Sequence, residues 1–133
     1  MAFSSASYGV ASIWVILANY DVAAATLSDY SALPSPGAGQ GQIEILFTRT
    51  LANQNEPPLM VGKYDFSKAQ GTAELTGEAK VLVEKGTGIQ FMQSGLMKND
   101  MQITALSTTA ISGTFSLSDK WTSISGTFTA PLK

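Results

Sequence analysis

Ile111-Ser112-Gly113-Thr114-Phe115 returns thirteen residues later as Ile124-Ser125-Gly126-Thr127-Phe128. Ile111, Phe115 and Leu117, like Ile124 and Phe128, share one parity, whereas Ser112, Thr114, Ser116 and Ser125, Thr127, Thr129 occupy the other. Successive side chains of a strand point to opposite faces. This period of two therefore specifies two half-buried strands, apolar groups inward and hydroxyls outward. Their proximity makes them an antiparallel hairpin. Matching the copies head to tail predicts Gly113 opposite Gly126, Phe115 opposite Ile124 and Ile111 opposite Phe128, with residues 118–121 as the loop. The pattern defines architecture and carries no chemistry.

Strand signals recur upstream. Residues 12–20 are dense in β-branched and aromatic side chains and apolar on both parities, which predicts a central strand. Residues 42–50 set Ile43, Ile45 and Phe47 on one face and Glu44 and Thr48 on the other. Residues 59–66 alternate less cleanly, and Gly62 marks a bulge or a close backbone approach. Residues 78–83 and 87–92 read as strands on either side of Glu84-Lys85-Gly86, and 101–106 lead through Ser107-Thr108-Thr109 into the hairpin. Ser28-Asp29 reads as an N-cap opening one short helical turn that Pro34 ends. Residues 34–41 and 95–100 read as loops. Long helices do not alternate with the strands, which disfavours parallel α/β topologies. The expected fold is all-β: one antiparallel β-sandwich of seven to nine strands over residues 1–133, a count also compatible with barrel-like closure. Residues 1–10 form an extended or edge segment.

Composition narrows the function classes. Charged residues are 14% of the chain, against about 25% in ordinary soluble domains, and Ser and Thr furnish the polar faces instead. With a mean hydropathy of +0.12, this demands thorough burial or a surface made to touch something. The net charge is −2, and the eight basic residues are scattered from Arg49 to Lys133, so a duplex nucleic acid partner is disfavoured. The chain has no cysteine, hence no disulfide or thiolate metal site, and no histidine, the commonest general base and metal ligand. The ten carboxylates form no calcium-loop pattern. No catalytic, cofactor or metal residue is expected, and the protein reads as a non-enzyme. Gly86-Thr87-Gly88 lacks the context of a phosphate loop and reads as a tight turn. The apolar run from Ile13 to Ala18 is far shorter than the roughly 20 residues of a membrane span, and no Lys or Arg precedes Arg49 to mark a signal peptide. It reads as a buried strand.

Two kinds of contact remain. Aromatic rings serve glycan and protein recognition, because they offer area at little entropic cost. Trp121, in the hairpin loop, is the first candidate ligand contact, with Tyr64 and Tyr30 behind it; Trp14 sits inside an apolar strand. Strand edges are the second route, since an open edge accepts another strand. The segment from Ala2 to Val10 precedes the first charge, Asp21, and nominates Phe3, Tyr8 and Val10 as assembly contacts. Removing residues 2–9 is then expected to abolish assembly and leave the fold.

Thr26-Leu27-Ser28-Asp29, Pro58-Leu59-Met60-Val61-Gly62-Lys63-Tyr64 and the closing pair Ile111-Ser112-Gly113-Thr114-Phe115 and Ile124-Ser125-Gly126-Thr127-Phe128-Thr129-Ala130-Pro131 resemble a diffuse group of uncharacterised bacterial secreted or lipoprotein-type domains. Such domains carry a central G-x-Y strand and end in G-[ST]-F … G-[ST]-F-x-A-P. The resemblance spans about three quarters of the chain. It implies an all-β fold and an extracellular or cell-surface location, and no activity or binding residues. Many members carry cysteines after L-S-D and beyond A-P; Leu33-Pro34 and Leu132-Lys133 stand there instead, so no family disulfide is implied. The leading expectation is a structural or interaction protein that forms homo-oligomers or polymers. The alternative is a monomeric module that binds a glycan or protein through exposed aromatics.

Overall fold

A computed structural model describes residues 2–7, 9–20, 22, 35–53, 55–83 and 87–132, with backbone alone for 3–7 and 87. Among these residues nine strands follow in chain order: β1 (Ala2–Ser7), β2 (Val10–Ala18), β3 (Gly41–Thr50), β4 (Gly62–Tyr64), β5 (Leu75–Val83), β6 (Thr87–Gln90), β7 (Lys98–Leu106), β8 (Ala110–Ser118) and β9 (Ser123–Pro131). They form two antiparallel sheets, ordered β1-β2-β3-β5-β6 and β4-β7-β8-β9. Single parallel bridges join Ala2 to Leu132 and Asp65 to Thr76. Among the described residues no continuous ladder joins the sheets. The architecture is a sandwich, and the barrel-like alternative is not realised.

Inward residues of both sheets build the core. Ile13 and Val15 of β2, Ile45 and Phe47 of β3 and Ala79 of β5 face Met101 and Ile103 of β7, Ile111, Phe115 and Leu117 of β8, and Phe128 and Ala130 of β9. Phe47 spans the gap between the sheets. Its ring meets Tyr64 edge-on at 5.1 Å and Phe66 at 5.6 Å, and tilts against Phe128 at 6.0 Å. Burying one such ring contributes about 1.5–3 kcal/mol. As its apolar faces predict, β2 is an interior strand, between β1 and β3. The second face of β3 is buried too: Gln42, Glu44 and Thr48 are each at most 3% exposed. The Glu44 carboxylate accepts from Gln42 and lies 2.6 Å from Lys80 Nζ.

Two sequence expectations change. The terminal hairpin is offset by two residues from the head-to-tail match: Gly113 faces Phe128, Phe115 faces Gly126, Ile111 faces Ala130, and Leu117 faces Ile124. A shift of two keeps every side chain on its expected face. The reason is packing. An added Cβ on Gly113 would lie 2.5 Å from the Phe128 ring, and one on Gly126 would lie 2.9 Å from the Phe115 ring, so each phenyl lies over the other strand's glycine. The loop moves with it to residues 119–122, where Asp119 Oδ1 accepts from the amides of Trp121 at 2.8 Å and Thr122 at 2.7 Å. Residues 98–100 are strand, because they extend β7 along β8 as far as the Lys98–Ser118 pair. The amino-terminal segment is an edge strand, one of its two expected forms: β1 ends its sheet, pairs with β2 from Ala2–Val15 to Ser7–Val10, and buries Ala2 fully. The helical turn expected at 28–33 lies outside the described residues.

Candidate functional site

Charge is unevenly distributed over the sandwich. β1, β2, β8 and β9, and the short β6 on the opposite flank, contain no Asp, Glu, Lys or Arg, whereas β3 carries Glu44 and Arg49, β4 Lys63, β5 Glu78 and Lys80, and β7 Lys98 and Asp100. The Ala2–Leu132 bridge brings β1 and the end of β9 together. The four strands of this flank therefore carry no charged residue, and two sheet edges bound it. β6 and β4, the other two edge strands, are only four and three residues long.

The exterior of β8 and β9 is an array of hydroxyls. The strand register sets Ser118 beside Ser123, Ser116 beside Ser125, Thr114 beside Thr127 and Ser112 beside Thr129. The last two share a hydrogen bond of 2.8 Å between their hydroxyls. Alternation along strands of about 3.4 Å rise spaces the rows by roughly 7 Å. Ser125, Thr127 and Thr129 are exposed, whereas Phe128 and Ala130, on the other parity, are buried. Such a surface offers donors, acceptors and unpaired strand backbone without ionic repulsion.

Trp121 is 82% exposed at the hairpin tip, with Lys120 Nζ 4.7 Å from its ring centre. Exposed Met97 lies at the same end, its amide donating to Ser118 O at 2.8 Å. Tyr64 corrects its nomination. It is fully buried, its hydroxyl donates to Met60 O at 3.0 Å, and burial raises its pKa above the usual phenol value. The broken alternation of residues 59–66 had left its facing unreadable. Val10 is half-buried, between Ser7 and Thr50 in the sheet. Tyr30, Tyr8 and the Phe3 side chain lie outside the described residues.

The polar clusters hold the fold together. Arg49, 8% exposed, donates to Glu74 through Nε at 3.2 Å and Nη2 at 3.0 Å, to Glu56 at 3.3 Å and to Pro57 O. An open cleft of about 420 Å³ lies beside it, with Glu56 and Glu74 in its wall. Arg49 binds both of those carboxylates. Asp65 Oδ1 accepts from the Ser67 hydroxyl and amide and from Asn99 Nδ2, tying the turn after β4 to β7. A cleft of about 380 Å³ at Leu17, Ile43 and Val81 has no ionisable residue among the described residues of its lining. Among the described residues no three carboxylates converge as metal ligands, and no helix is long and apolar enough to cross a membrane.

The sequence reading missed the edge of β9. Its signal was Pro131, since proline within a sheet is confined to edges, strand starts and bulges. No family model, curated protein or solved structure matches the chain.

Proposed function

We propose that this is an exported, non-catalytic interaction protein that assembles with copies of itself through its charge-free flank. The observation that carries the reading is the segregation of charge: two long edge strands, β1 and β9, have no ionisable residue. Natural sheets blunt open edges with lysines, inward charges, bulges or prolines, because an edge is a template for another strand. Among the described residues of this flank Pro131 alone plays that part. Low overall charge and the hydroxyl-covered exterior fit the same role, and the resemblance to bacterial secreted domains supports export. Sedimentation of edge-charged variants tests the reading. Ser125→Lys is expected to weaken association at least tenfold, and Gln102→Lys, on an interior strand, to leave it unchanged. Equal behaviour of the two variants would contradict it.

Trp121 favours a second reading, a glycan- or protein-binding module, because a ring this exposed at a loop tip is unusual without a partner. It predicts quenching or a shift of Trp121 fluorescence in a glycan screen, and loss of binding in Trp121→Ala. Silence in the screen would dismiss glycans.

A further inference from the structure

We infer that β9 pairs antiparallel with β9 of a second copy about a two-fold axis at Gly126, merging two four-stranded sheets into one of eight strands. This rests on the self-association reading and names its strand and register.

The backbone determines which groups are available. Opposed residues in an antiparallel ladder alternate between pairs that exchange hydrogen bonds and pairs that do not. Both ends of the β8–β9 ladder are anchored: Leu132 N donates to Thr109 O at 2.8 Å, and Asp119 N donates to Thr122 O at 2.9 Å. Counting inward by twos from either anchor, Ile111–Ala130, Gly113–Phe128, Phe115–Gly126 and Leu117–Ile124 are bonded pairs. Ser112–Thr129, Thr114–Thr127, Ser116–Ser125 and Ser118–Ser123 are then non-bonded pairs, as is Ala110–Pro131. The amides and carbonyls of Ser123, Ser125, Thr127 and Thr129 therefore point away from β8, toward the open side. Among the described residues nothing bonds to these amides, and β9 is the last strand of its sheet. Pro131 falls in the same outward class and lacks an N–H, which ends the row of donors at Thr129.

Symmetry then selects a register. Residues opposed across a ladder share a face, so a two-fold axis normal to the sheet passes through a residue that meets its own copy. With the axis at Gly126, Ser125 faces the partner's Thr127 and Ser123 faces the partner's Thr129, which engages all four outward donors of each copy. An axis at Thr127 would instead set Ser123 against the partner's Pro131, which has no N–H to return, and would leave the Ser123 carbonyl without a donor. Gly126 is exposed and has no side chain, so two backbones can approach closely at the axis. The β8–β9 register runs without a shift, leaving no bulge to turn this edge away. β1 is shorter, six residues against nine.

The chain has no cysteine, so Ser125→Cys/Thr127→Cys introduces its only thiols. Opposed Cα atoms in a bonded pair lie about 5.5 Å apart, within disulfide range. Mild oxidation of this variant should give a covalent dimer, and Ser123→Cys/Ser125→Cys, whose positions are not opposed, should give several-fold less. Thr127→Pro removes an outward donor that the ladder with β8 does not use. It should keep the far-ultraviolet dichroism of the fold and weaken association at least tenfold; if it fails to fold, Thr127→Lys makes the same test through charge. Wild-type association that survives Thr127→Pro or Thr127→Lys, with no crosslink in the 125/127 variant, would overturn the β9 contact and leave self-association standing. Mass that grows without limit would overturn the closed two-fold. A wild-type protein of single-copy mass at every concentration would overturn both readings.

Discussion

Gly113 tolerates an added methyl less well than Gly126. Its new Cβ would lie 2.3 Å from the Gln102 carbonyl oxygen as well as against the Phe128 ring, whereas at Gly126 the three nearest atoms all belong to the Phe115 ring. A ring can swing aside; a carbonyl held in a central strand moves only with its sheet. Gly113→Ala is expected to cost about 1–3 kcal/mol, and Gly126→Ala less, measured by urea denaturation. Asp65 supplies the pH dependence at this scale. Its hydrogen bond from the Ser67 hydroxyl, helped by the Ser67 amide, Asn99 and Lys68 and opposed by partial burial, holds its pKa below the ordinary value of 3.8. A pKa depressed on folding contributes stability above the unfolded value and loses it as pH falls through the folded one. Stability should therefore decline below about pH 4, the ordinary aspartate range, and Asp65→Asn should flatten that decline in thermal melts across pH.

At the scale of elements, β1 belongs to the fold, which changes what its removal means. Deleting residues 2–9 strips six ladder pairs from β2 and takes Ala2 from the core. The truncated protein should melt at a lower temperature and aggregate through the newly bared β2, rather than remain a folded, non-assembling monomer; calorimetry with light scattering distinguishes the two. Asp119→Ala removes both amide contacts of the hairpin turn and should cost about 1 kcal/mol, as loss of a comparable cap does. Faces were legible in the chain because a period of two reports which side a residue points to, as at Ile45 and Phe47 or at Ser112 and Thr114. Neighbours were less legible. Nothing local to Ser123 or Thr127 says that no strand follows β9 in its sheet, and the two-residue offset of the hairpin depends on rings packing over glycines in the opposing strand. Tyr64 was obscure for a related reason: a three-residue strand is too short to display a period.

At the scale of the molecule, the strands of one flank carry no charged residue, and two long edges bound it. An interface without ions should show little salt dependence, so raising ionic strength from about 0.05 M to 0.5 M should leave the apparent association constant within about twofold, where an ionic interface would weaken markedly. The most direct measurement is the solution mass by multi-angle light scattering over a concentration series. Self-association through the flank predicts a mass that rises with concentration from 14.0 kDa toward twice that value and plateaus there. A steady 14.0 kDa at every concentration would contradict it.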